Sequence, residues 1–227
     1  MSYYIGLSIL SNEDNKKIQT RIEARRILSL FENRHVTEND IAKETQGRPF
    51  FPNGDVDFNI SHSGNIIAVS YVKGGCRASG KGLRVGCDIE RIRHRAKAAQ
   101  IAQDYFSPEE NKYLFAEGSE GKFNDTRFYE IWTLKESYLK LRGLSVFDMK
   151  QAPSFINEQS LSANFAAYET ALRPLSFRLF ELSNENWGRC IFSTVIEGEP
   201  SGEAVLQPEI RWFSSASLTI DRIIDMN

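Results

Sequence analysis

Cysteine is scarce. The 227 residues include three, at positions 76, 87 and 190, an odd number with none in a Cys-x-x-Cys pair. A disulfide framework and a cysteine-rich zinc centre are therefore not suggested, and reduced thiols in a cytosol are the expectation. Charge of one sign is also lacking. The 28 Lys and Arg stand against 30 Asp and Glu, a formal charge of −2, so no global positive field draws the chain to nucleic acid or anionic lipid. Any polyanion it binds must meet a local basic patch. No apolar run reaches membrane-spanning length. The first ten residues carry no basic n-region and are interrupted by Gly6 and Ser8, which fits a strand better than a signal peptide. The expectation is a cytoplasmic protein with neither a membrane nor a nucleic acid partner. No internal repeat is visible, and 41% hydrophobic with 26% charged residues is the make-up of a soluble globular chain with a sizeable core.

Tyr3 to Leu10 is aromatic and β-branched and reads as a strand, with Ser11-Asn12 leading into a helix. Ile18, Ile22, Ile27, Leu30 and Phe31 recur at near-helical spacing, flanked by Lys16, Lys17, Arg21, Arg25 and Arg26. Gly47 to Gly54 is turn chemistry. Val56, Phe58 and Ile60 then alternate with Asp57 and Asn59 as a half-buried strand, followed by strands over Ile66 to Val72 and Leu83 to Glu90. Helices are expected over Ala96 to Tyr105, Pro108 to Glu117 and Thr126 to Leu141, with a break at Gly118 to Gly121. Short turn-bounded segments near 154–156, 161–168, 176–182, 188–196 and 210–213 read as strands of an antiparallel sheet.

Chemistry can reside in four places. Asp88 and Glu90 lie two apart on a strand and face one side, so they are either ligands for a hard cation such as Mg²⁺ or an ordinary sheet face. Glu136 and Lys140 lie one helical turn apart with Lys135 beside them, a pattern that a plain surface ion pair also produces. Ser107 and Pro108 are a natural helix start in which Glu110 completes a capping box. Ser61-His62-Ser63-Gly64 suits a bound phosphate or a merely structural histidine. Nucleophilic Ser-His chemistry is set aside, because neighbours on an extended segment face opposite ways.

The order of these clusters resembles a known family, the Sfp-type 4′-phosphopantetheinyl transferases. The matching residues are Gly47-Arg48-Pro49, Phe58 to Gly64, Gly86 to Glu90, Phe106-Ser107 with Glu110, and Phe128-Tyr129 through Trp132, Lys135-Glu136-Ser137 and Lys140. The resemblance implies an α+β fold of two pseudo-symmetric halves, 1–105 and 106–227, each an antiparallel sheet packed on a helix, with the active site between them. It implies Mg²⁺ on Asp88, Glu90 and Glu136, with Glu110 as base or part of the metal shell. Lys135 and Lys140 would contact the phosphates of coenzyme A, Lys140 at the leaving phosphate. Ser61 and His62 would also hold coenzyme A phosphate. Arg48 stands where the family commonly carries Lys, and Arg25 or Arg26 with Lys16 or Lys17 would meet the ribose phosphate. The implied reaction moves 4′-phosphopantetheine from coenzyme A to a serine of an acyl or peptidyl carrier protein and releases 3′,5′-ADP. A chain that supplies both halves of the cleft is expected to work as a monomer. The acidic cluster alone also permits another Mg²⁺-dependent phosphoryl-transfer hydrolase, and a catalytically silent carrier-binding protein would keep the same fold. Two departures stand out: Ser145 replaces the second glycine of the family's Gly-x-Gly-Leu, and the basic loop Lys73 to Gly82 is longer than usual, as a carrier-docking element would be.

Overall fold

The computed structural model describes residues 2–10, 16–52, 54–74, 82–115, 122–158, 160–162, 174–185, 187–198, 207–213 and 219–226. The chain begins with β1 (Ser2–Ile9) and α1 (Lys16–Glu32), then the short strands β2 (Ala42–Lys43) and β3 (Pro49–Phe50). β4 (Val56–Ser63), β5 (Ile66–Lys73) and β6 (Arg84–Arg91) follow, with α2 (Ala98–Tyr105), α3 (Pro108–Leu114) and α4 (Asp125–Arg142). The tail holds the two-residue strands β7 (Ile156–Asn157) and β8 (Ser160–Leu161), then β9 (Leu175–Asn184), β10 (Gly188–Glu197), β11 (Glu209–Trp212) and β12 (Thr219–Met226). Most of the expected elements are present within a few residues. The Ser11-Asn12 turn, the Gly118 to Gly121 break, residues 163–168 and residues 75–81 of the basic loop lie outside the described residues.

Two four-stranded sheets organise the molecule, in the orders β11-β1-β5-β4 and β12-β9-β10-β6. Each contains a strand, a long helix and two further strands in which the first strand pairs with the third: β1-α1-β4-β5 and β6-α4-β9-β10. Three apolar clusters fix the layers. Ala24, Ile27 and Leu28 of α1 pack on Phe58, Val69 and Tyr71; Ile5, Leu7 and Ile66 meet Val85, Cys87, Ile89 and Phe192 between the sheets; and Leu134 and Leu139 of α4 cover Leu179 and Ile191. The order is therefore α1, first sheet, second sheet, α4. Strands buried on both faces, such as β5 and β10, follow from that layering.

The structure corrects three expectations. β11 is parallel to β1 in the first sheet and so does not belong to an antiparallel tail sheet. A last strand, β12, was not anticipated. β6 runs against β10 from Arg84↔Glu197 to Arg91↔Cys190. In α1 the buried stripe is Ala24, Ile27 and Leu28, while Ile18, Ile22 and Leu30 are exposed, because the helix seats only its middle turns against β1 and β5. Ser145 needs no glycine-like backbone: Gly143 takes the left-handed turn at φ 71°, and Ser145, at φ −105°, caps the following turn through Asp148. Among the described residues no helix is long and apolar enough to cross a membrane.

Candidate active site

The site lies where α4 crosses β6, and two devices hold them together. The first is Gly86. A Cβ there would sit 2.1 Å from the Ser137 carbonyl oxygen and 2.8 Å from the Leu141 nitrogen, so only glycine lets the helix backbone approach the strand. Even-numbered β6 residues therefore face α4, and Asp88 and Glu90 come opposite Glu136 and Lys140. The second is α4 itself, started by the Asn124 side chain accepting from the Arg127 N–H and stopped by the Leu144 N–H to Leu139 carbonyl bond beyond left-handed Gly143.

Lys140 Nζ donates to Asp88 Oδ1 at 2.6 Å and to Ser61 Oγ at 2.9 Å. Ser61 in turn donates to Asp88 Oδ1 at 2.7 Å, and Ser63 donates to Glu90 Oε2 at 2.6 Å. Burial and the charges of Asp88 and Glu90 push the Glu136 carboxyl up to about 7, against a partial opposing pull from Lys140. Burial and Asp88 likewise raise Glu90. Burial pulls the Lys140 ammonium down, but Asp88 and Glu136 outweigh it and leave it raised. The site thus gathers three carboxylates around one ammonium.

Among the described residues the side chains as they stand bring no three His, Cys, Asp or Glu groups to metal-binding distance, and Lys140 occupies one Asp88 oxygen. The donor set still fits a hard cation. Asp88 Oδ2 is buried without a hydrogen-bond partner, and the raised carboxyls of Glu90 and Glu136 report negative charge that one ammonium does not neutralise.

Other residues named from the resemblance sit elsewhere. Glu110 is fully buried; it completes the capping box with Ser107, and its two oxygens receive the Ser107 N–H, the Phe155 N–H and the Lys135 ammonium at 2.8, 3.0 and 3.0 Å. Lys135 is closed in as well, donating to the Pro153 carbonyl oxygen. These two form a structural pair, which differs from the implied base and phosphate contact. Arg48 is spent inside: it forks onto Asp57, donates to the Val85 carbonyl and, through Nε, to the Lys140 carbonyl near the end of α4. Its guanidinium has no face left for a nucleotide. Arg48→Ala would leave the buried Asp57 carboxylate without its counter-charge, and urea denaturation should show a loss of about 3–5 kcal/mol.

A cationic patch of the kind a bound polyanion would need is a cleft of about 230 Å³ lined by Arg21, Arg25, Lys43, Glu38, Gly47 and Ile60. Arg25 is therefore placed in a cavity, whereas Arg26 turns away to Glu23 and the Phe213 carbonyl. Ile60 and His62 share a strand face, so His62 continues from that cleft, its imidazole held low by partial desolvation of the ring and by Lys140 and Lys16. Sequence reasoning left Lys43 and Glu38 out, since neither belongs to any motif. It also took the polar side of β4 for a half-exposed face. Asp57, Asn59, Ser61 and Ser63 are in fact all buried against the unpaired edge of β6. The alternation was the available signal, but only the position of β6 shows what those side chains satisfy.

The two free cysteines among the described residues, Cys87 and Cys190, are buried, with thiols pushed up to about 11 and about 12. They pack as small apolar groups.

Several known proteins are similar to this chain. The chain is 37% identical over 110 residues to the 4′-phosphopantetheinyl transferase AcpT of Salmonella typhi, covering 48% of this chain and 52% of that one. It is 31% identical over 138 residues to the 4′-phosphopantetheinyl transferase gsp of Aneurinibacillus migulanus, 57% of this chain and 52% of the relative. AcpT of Escherichia coli strain K12 matches at 35% over 125 residues, 55% and 58%. The matches span about half the length of these relatives. Residues 84–173, which contain β6 and α4 and so all the acidic residues of the site, match the family model of the 4′-phosphopantetheinyl transferase superfamily.

Proposed function

We propose that the protein transfers 4′-phosphopantetheine from coenzyme A to a serine of an acyl or peptidyl carrier protein, releasing 3′,5′-ADP, with Mg²⁺ held by Asp88, Glu90 and Glu136. The observation that carries this reading is the uncompensated acidic cluster facing Lys140, with a cationic cleft a few residues along β4. Coenzyme A bears a pyrophosphate and a separate ribose phosphate, and such a substrate needs cations at two places. Arg21, Arg25 and Lys43 offer one set; Lys140 beside the carboxylates offers the other. When bound, the ion would supply charge neutralisation to the phosphate oxygens in flight.

The chain's own residues then do the rest. Lys140 moves its ammonium from Asp88 toward the leaving phosphate and offsets the charge that develops there. His62, at the mouth of the cleft, is a neutral donor at physiological pH. The attacking serine hydroxyl must lose a proton. Glu110 is enclosed and paired with Lys135, so it is not placed to receive it.

The two strand-helix-strand-strand units support a reading of two pseudo-symmetric halves meeting at β4 and β6. The boundary then falls between Lys73 and Arg84 rather than at 105/106. Because one chain supplies both sides of the site, the protein acts as a monomer, and its buried free thiols agree with a cytoplasmic location.

Incubating the protein with an apo carrier, coenzyme A and Mg²⁺ should add one phosphopantetheine to the carrier by mass spectrometry. Hydrolysis of pyrophosphate or nucleic acid without that adduct would instead indicate a phosphoryl hydrolase. Carrier binding without either reaction would indicate a silent binding protein. Arg25→Ala should raise the KM for coenzyme A about tenfold while kcat changes little, as loss of one charge-assisted contact predicts.

A further inference from the structure

β4 and β6 are the edge strands of their sheets, and they are not paired through their backbones. Alternate side chains of β4 accept the N–H groups of the β6 edge instead. The Val85 N–H donates to Asp57 Oδ2, the Cys87 N–H to Asn59 Oδ1, the Ile89 N–H to Ser61 Oγ and the Arg91 N–H to Ser63 Oγ, at 2.9, 3.0, 3.3 and 3.0 Å and each at an offset of 28 residues. An unsatisfied strand edge at a buried junction costs on the order of 1–3 kcal/mol per group, so this alternation has a structural use in all four rungs.

The last two rungs do something more. A serine hydroxyl has one proton to give. Ser61 accepts from the Ile89 N–H and from Lys140, and its proton goes to Asp88 Oδ1. Ser63 accepts from the Arg91 N–H, and its proton goes to Glu90 Oε2. The backbone donor fixes each hydroxyl, and the hydroxyl fixes one oxygen of the carboxylate one position back along β6. Both serines are buried, so neither proton is free for a solvent-side ligand, and the phosphate contact implied for Ser61 is not the bond it makes.

We infer that Ser61 and Ser63 are positioning residues that aim the Asp88 and Glu90 carboxylates at α4. The inference rests on the metal reading of those carboxylates. Each serine converts the register between the two sheets into the orientation of an acid. Without it, the carboxylate has its rotamers back and must be ordered by the ion at the ion's expense.

Ser63 gives the cleaner test, because Lys140 does not touch it. Mn²⁺ titrated into the intact protein and followed by electron paramagnetic resonance should bind about 10–100-fold more weakly to folded Ser63→Ala, the usual effect of removing a partner of a metal ligand. Ser63→Thr, which keeps the hydroxyl, should restore affinity to near that of the unaltered protein. If Ser63→Ala does not fold, Ser63→Cys keeps the volume with only a weak donor and serves for the same comparison. Glu90→Gln distinguishes the two layers of the argument. Unchanged Mn²⁺ affinity in Ser63→Ala with loss in Glu90→Gln overturns the positioning role and leaves the metal reading intact. Unchanged affinity in Glu90→Gln overturns both.

Discussion

Glu136→Gln is expected to lower transfer turnover roughly 100- to 1000-fold, the size of effect seen when one preorganised electrostatic group is removed from a reacting centre. The same substitution should stabilise the metal-free protein at neutral pH. In the folded chain the Glu136 carboxyl holds its proton up to about 7, against an ordinary value of 4.5. Between those values the folded state binds more proton than the unfolded state, so stability falls as pH rises from about 4.5 to about 7 and levels off above. The loss amounts to about 3 kcal/mol at most. Glutamine carries no such charge, so the Glu136 part of that slope should be lost from urea-denaturation midpoints measured across the window in a chelator, leaving the smaller slope of Glu90. Activity lost and stability gained is the signature of a functional acid cluster. A variant that keeps its turnover would place the reaction elsewhere in the molecule, and a variant that loses stability would mean that Glu136 is structurally satisfied.

Gly86→Ala should cost about 3 kcal/mol or more in stability and remove the activity together with it. The added carbon meets the Ser137 carbonyl oxygen at 2.1 Å and the Leu141 nitrogen at 2.8 Å, both main-chain atoms of α4. A helix in the centre of a packed layer cannot yield locally, so the whole of α4 must move away from β6. Glu136 and Lys140 then leave Asp88 and Glu90. Gly6 is the informative comparison. It occupies β1 under α1 as Gly86 occupies β6 under α4, but the atoms a Cβ would meet belong to side chains, Ile27 Cγ2 at 2.5 Å and ring atoms of Phe31 and Phe213 at 3.0 Å. Side chains can shift by tenths of an ångström where a helix backbone cannot. Gly6→Ala should therefore be milder than Gly86→Ala by urea denaturation and should leave metal affinity nearly unchanged. Equal costs at the two positions would show that α4 is not held by its backbone approach.

Much of the site was legible before any fold was known, because its chemistry is written in local spacing. Asp88 and Glu90 share a face wherever β6 lies, since strand periodicity is two. Glu136 and Lys140 share a face of α4 for the corresponding helical reason. Ser107, Pro108 and Glu110 announce a helix start, and a capping box is what they form. The long α4 and the strands β4, β5, β6, β9 and β10 were visible from their apolar patterns and the turns around them.

What local spacing cannot carry is the identity of a partner far along the chain. Whether Glu110 and Lys135 face a substrate or each other, whether Arg48 meets a phosphate or Asp57, and whether the polar side of β4 meets water or the edge of β6 depend on which strand edge arrives there. The parallel return of β11 to β1 and the boundary between the sheets are questions of the same kind. Sequence by itself determined which residues carry charge and which of them share a face, because these follow from covalent geometry and backbone period. Only the tertiary structure decided which charges are neutralised within the fold and which remain unmet, because neutralisation requires two groups distant in sequence to come within about 3 Å in an interior that excludes water.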